Sequence, residues 1–212
     1  MRLIVVLVFL VSLFITPSGS NSKPTDFANF AFPWQEPQRG LHSAEWLKIG
    51  DSEVHLVNGK WIDDQGEDGL DGQAGAAPRP FSGLTLESVE YGDIEGAGKR
   101  TAIVVLRYDT GGTQDFDYVY IYDEHDTKPR LLGYFQAGDR AASGLYRVYA
   151  QGGLLLVELY DPEKRTGDCC SAGFIRTRYR WREGSFEAVG ATETGVPEHT
   201  SRLRASTFGV HQ

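Results

Sequence analysis

From Leu84 onward the chain alternates short apolar runs with glycine-bearing turns at close intervals. Ile103-Val104-Val105-Leu106 is continuously apolar, the pattern of a strand covered on both faces. Tyr118, Tyr120 and Tyr122 alternate with Val119 and Ile121, and Leu131–Phe135 is a further short strand. Two hairpins can be read with their register. Gly152-Gly153 supplies the positive φ of a two-residue turn. That turn sets Val148 opposite Val157, an apolar pair, and Arg147 opposite Glu158, an ion pair. Glu183-Gly184 likewise sets Trp181 against Phe186 and Arg180 against Glu187. Glu53–Ile62 reads as a strand interrupted by an Asn58-Gly59 turn. Past the first twenty residues no segment has a long helical period, and only Gln38–Lys48 has room for one short helix. The pattern predicts an all-β fold: a single domain of about eight mainly antiparallel strands in a hairpin meander, as a curved sheet, a sandwich or a barrel.

The flanks read differently. Leu3–Ile15 is apolar except for Ser12, follows Arg2, and precedes Thr16-Pro17-Ser18-Gly19-Ser20, the pattern of a signal peptide over residues 1–20. The run is shorter than the ~18 apolar residues that mark a spanning helix, so export without membrane insertion is expected. Residues 21–50 form an N-terminal arm in which Phe27, Phe30 and Phe32 approach Trp34. Burial as a strap over the core is the reading that accounts for those rings; an exposed aromatic surface for a glycan or partner is the alternative. The β-domain is expected over 51–191. Within it residues 63–80 form an acidic loop with Gly66, Gly69, Gly72 and Gly75 at every third position. Asp64 opens a stretch similar to an EF-hand loop, but Gly66 and Gly75 stand where ligands belong, so a solvated loop is expected. Residues 192–212 lack core periodicity and read as a loose tail.

Charge narrows the partners. The chain has 21 basic and 29 acidic residues, and removal of Arg2 with the leader leaves a net charge of −9. Nucleic acid is a poor match for that balance, since phosphate contacts need clustered Lys and Arg.

The turn Asp93-Ile94-Glu95-Gly96-Ala97-Gly98 has carboxylates at the first and third positions of a calcium loop. Ala97 takes the fifth position and Thr101 stands where a closing acid belongs, so no metal is expected. The pattern Y-G-D-x-x-G-x-G-x-x-x-A-I-V-V-L within Leu84–Asp123 resembles a degenerate FG-GAP-type repeat, and also exported proteins of the LppP/LprE lipoprotein type. The first resemblance implies descent from a calcium loop. The second implies an exported envelope protein, though no cysteine near the leader's end could carry a lipid.

Cys169 and Cys170 are the only cysteines. In an exported chain a bridge between these neighbours is the economical oxidised state, rigidifying the turn at Gly167–Gly173. It would enclose almost no chain and add little loop-closure stabilisation. Arg176, Arg178, Arg180 and Arg182 lie on one face of a strand, with Ile175, Thr177, Tyr179 and Trp181 on the other. Glu187 accounts for Arg180. Arg176, Arg178 and Arg182 have no evident acidic partner, and they are the candidate binding strip for an acidic envelope polymer or protein. The five His are scattered, no G-x-S-x-G elbow surrounds a Ser, and no catalytic motif or cofactor signature is present. Two functions follow: a non-enzymatic exported binding domain, or a glycosidase-like hydrolase whose carboxylates converge in space.

Overall fold

The computed structural model describes residues 24–41, 43–62, 82–96, 98–112, 114–124, 128–139, 143–166 and 171–197. The expected leader over residues 1–20, the expected acidic loop over 63–80, and Cys169 and Cys170 lie outside the described residues.

The fold is all-β: the described residues form thirteen strands and two single-turn 3-10 segments, at Phe27–Asn29 and Pro162–Lys164. In chain order the strands are β1 (Ala31–Pro33), β2 (Glu45–Leu47), β3 (Glu53–His55), β4 (Lys60–Ile62), β5 (Gly83–Gly92), β6 (Thr101–Asp109) and β7 (Asp115–Asp123). There follow β8 (Arg130–Asp139), β9 (Leu145–Gln151), β10 (Leu154–Tyr160), β11 (Phe174–Arg182), β12 (Ser185–Ala188) and β13 (Glu193–Gly195). They form three layers. The central sheet has the order β2-β8-β7-β6-β5-β4. A smaller sheet, β12-β11-β10-β9 with β13 also on β11, packs on one face, and a β1–β3 ribbon covers the other.

This layering explains the apolar run in β6. Val104 and Leu106 face the ribbon with Tyr118, Tyr120 and Tyr122 of β7, while Ile103 and Val105 face the small sheet with Val119 and Ile121. Both parities are buried, so alternation disappears from the sequence. The arm residues Phe27, Phe32 and Trp34 are buried in the ribbon-side core, with Phe30 packed against it. The tyrosines of the central sheet reach through to the arm backbone. Tyr120 Oη donates to Pro33 O at 2.9 Å, Tyr118 Oη to Gln35 O at 2.9 Å, and Tyr134 Oη to Lys48 O at 3.1 Å. These bonds satisfy arm carbonyls that a strap cannot pair within a full sheet. Burial pushes the Tyr118, Tyr120 and Tyr122 hydroxyls well above the usual phenol range, so they stay protonated donors.

Both hairpin registers read from sequence are present: Val157 pairs Val148, Glu158 pairs Arg147, Trp181 pairs Phe186 and Arg180 pairs Glu187. The turn pairs Asn58–Gly59, Gly152–Gly153 and Glu183–Gly184 all have positive φ at both residues, as a primed turn demands.

Other segments differ in detail from the pattern. The room for a short helix in Gln38–Lys48 is not used among its described residues; its Glu45–Leu47 portion is an edge strand on β8. Trp46 is the reason, since its indole stacks on Phe186 at 4.5 Å and packs on Phe135 at 5.0 Å, tying the central sheet to the small one. The expected tail begins with a strand, because Glu193, Thr194 and Gly195 pair with Arg176, Ile175 and Phe174. Glu53–Ile62 divides at its turn, β3 pairing β1 and β4 pairing β5.

Candidate functional site

The outer face of the small sheet carries the arginine strip, and register defines its membership. Arg147, Glu158, Arg176 and Glu193 form one cross-strand row. Tyr149, Leu156 and Arg178 form the next, and Arg180 and Arg182 continue opposite Glu187 and Ser185. Five arginines thus share this face with three glutamates, on a chain whose formal charge is −8.

Arg176 and Arg178 are not the unpaired cations expected from sequence. Glu158, with a side chain 2% exposed, takes Arg176 Nε at 2.7 Å and Nη2 at 2.5 Å, and Tyr149 Oη donates to the same Oε1 at 3.1 Å. Glu193 receives Arg178 Nη2 at 2.7 Å and Arg176 Nη1 at 3.3 Å. Its hydrogen bond from Arg178, with attraction from both guanidiniums, holds the Glu193 carboxyl below its ordinary range. The physical reason is topological: Glu193 arrives on β13, in a segment that read as tail. The expected Arg147–Glu158 ion pair gives way to Arg176, and Arg147 instead lies over the Tyr149 ring at 4.4 Å. Arg180 was expected to be the paired member, but no ion pair joins it to Glu187 among the described residues. Arg147, Arg180 and Arg182 are exposed, whereas Arg176 and Arg178 are half-buried.

The calcium-like turn has a structural task. Asp93 accepts the backbone N–H groups of Glu95 at 3.0 Å, Gly96 at 2.7 Å and Gly98 at 2.7 Å. Glu95 binds Lys99 at 2.6 Å. Ile94, buried, enters the core between the two sheets. Gly96 lies against Gly153 of the β9–β10 turn, so the loop docks one sheet onto the other.

A third feature escaped the sequence. Glu87, Glu90, Arg107, Asp117 and Arg147 line a cleft of about 260 Å³ between the β5–β7 surface and β9. Burial raises the Asp117 carboxyl above its ordinary value, although Arg107 beside it pulls the other way. Arg107 contacts Asp117 Oδ1 at 3.1 Å through Nε and Glu87 Oε2 at 3.5 Å through Nη1. A glycosidase leaves the space between its two carboxyl groups to sugar and water. Here a guanidinium stands in that space and pairs with both. Alternation alone places Glu87 and Asp117 on separate strands and gives no clue that β9 closes over them.

Among the described residues, no helix is long and apolar enough to cross a membrane and no group of three or more His, Cys, Asp or Glu is placed to hold a metal. No family model, curated protein or solved structure matches the chain.

Proposed function

We propose that this chain is an exported, non-enzymatic β-domain that binds an acidic envelope polymer or protein through the outer face of the small sheet. The observation that carries the reading is a positive strip on an acidic molecule: five arginines against three glutamates across β9–β13. Within it the roles divide. Arg147, Arg180 and Arg182 are exposed and free to meet a carboxylate-bearing ligand. Arg176 and Arg178, clamped by Glu158 and Glu193, hold the face in register. The leader and the resemblance to exported envelope proteins support the compartment. The hydrolase alternative draws support from the Glu87–Asp117 cleft, and Arg107 between those carboxylates weighs against it.

The test is binding of the mature protein to polygalacturonate, an acidic polysaccharide, by calorimetry at low salt. Arg147→Ser, Arg180→Ser and Arg182→Ser combined should leave the melting temperature within a degree or two, since exposed charges contribute little to stability. The same variant should weaken binding roughly tenfold or more, with the loss shrinking as salt screens the wild-type attraction. Unchanged affinity in a folded triple variant would move the ligand surface elsewhere, with the Phe27–Trp34 arm the next place to examine.

A further inference from the structure

A separate cavity of about 300 Å³ opens between the small sheet and the segment leading into β2. Val157, Leu159 and Ile175 form its apolar wall, and Ser43 and Thr192, both exposed, stand at its mouth. Ser143 lines it from within. That residue is 1% exposed, and its Oγ has no hydrogen-bond partner among the described residues. Its backbone sits at φ 66°, a left-handed conformation that a side chain disfavours. The conformation is held from both sides: Ser143 O accepts from Gly138 N–H at 2.9 Å, and the residue bridges Asp139.

Glycine at this position would remove both the backbone strain and the unpartnered hydroxyl. A serine that suffers both penalties in the lining of a largely apolar cavity is explained if its hydroxyl meets a bound molecule. We infer that the cavity binds a small neutral amphiphile, an apolar body with one hydrogen-bonding oxygen directed at Ser143 Oγ. Neutrality follows from the lining. Among the described residues around the cavity none is charged, so a carboxylate carried inside would lose its water without gaining a counter-ion. The volume falls at the lower end of the range of small-molecule sites, which suits a short chain rather than a full lipid tail. This site is independent of the basic outer face.

The probe is 1-hexanol, titrated into methyl-labelled mature protein and followed by NMR, with hexanoate at neutral pH as the charged counterpart. Hexanol should shift the Val157, Leu159 and Ile175 methyls saturably, and hexanoate should not. Ser143→Gly should melt no lower than the wild type and bind hexanol roughly fivefold more weakly, the value of one typical hydrogen bond. Ile175→Phe, which fills the wall, should stay folded and lose hexanol binding. Absence of saturable shifts, equal affinity in Ser143→Gly, equal binding of hexanoate, or undiminished binding in Ile175→Phe would each overturn the proposal.

Discussion

Arg176→Ala separates two views of the arginine strip. If Arg176 were an exposed strip residue, its loss would change stability by ~0–1 kcal/mol, the range of surface ion pairs. The structure makes it the counter-ion of Glu158, whose side chain is 2% exposed and whose Oε1 receives both Nε and Nη2. Removing the guanidinium leaves a buried carboxylate whose remaining side-chain donor, among the described residues, is Tyr149 Oη at 3.1 Å. Breaking a buried pair costs ~3–5 kcal/mol. The Arg176 side chain is 28% exposed, so water can enter the space it leaves, and the expected loss falls to about 2–3 kcal/mol. Urea unfolding at pH 7 reads this directly: with a slope of ~1–3 kcal/mol per molar, the midpoint should drop by about 1 M or more. Glu158→Leu added to Arg176→Ala should recover part of the loss, because the uncompensated charge is gone. A loss below about 0.5 kcal/mol in the single variant, or no recovery in the double, would refute the reasoning.

Three further outcomes are expected. A Cβ at Gly92 would meet Ala150 Cβ at 2.3 Å, so Gly92→Ala should destabilise by ~1–3 kcal/mol in thermal melts and Ala150→Gly should rescue it. Asp93→Ala removes the acceptor of three backbone N–H groups and should cost ~1–3 kcal/mol, while melts of the wild type with excess calcium and with chelator should coincide. Burial raises Asp117 above its unfolded value of 3.8, so between the two values the folded state binds more protons than the unfolded. Stability contributed by this group therefore falls as pH rises from near 3.8 toward the raised value, and Asp117→Asn should flatten that limb of a pH series of urea melts.

The hairpins were legible because their information is local. Gly152-Gly153 and Glu183-Gly184 set the register, and apolar and charged partners then agree across the turn. The doubly covered β6 was legible from its unbroken apolar run. What escaped depends on contacts distant in sequence. Glu193 reaches Arg176 and Arg178 from a three-residue strand too short to show alternation, and so the strip appeared unpaired. Trp46 makes an edge strand of a segment with helical composition because its partners are Phe135 and Phe186. The alternation of Tyr118, Tyr120 and Tyr122 marked a strand, but it carries no sign of the arm backbone that the Tyr118 and Tyr120 hydroxyls pin. The cleft around Asp117 and the cavity at Ser143 both need the two sheets to close before any residue pattern marks them.

Mapping a polyanion onto the folded molecule is the most direct measurement of the central claim. Amide and arginine side-chain NMR signals of the mature protein would be followed as polygalacturonate is added at low salt and again at high salt. The account predicts shifts concentrated at Arg147, Tyr149, Arg180 and Arg182 on the outer face of the small sheet, fading as salt rises. Shifts centred on the Phe27–Trp34 arm, or on Glu87, Arg107 and Asp117 with Arg180 and Arg182 unmoved, or none at all, would contradict it.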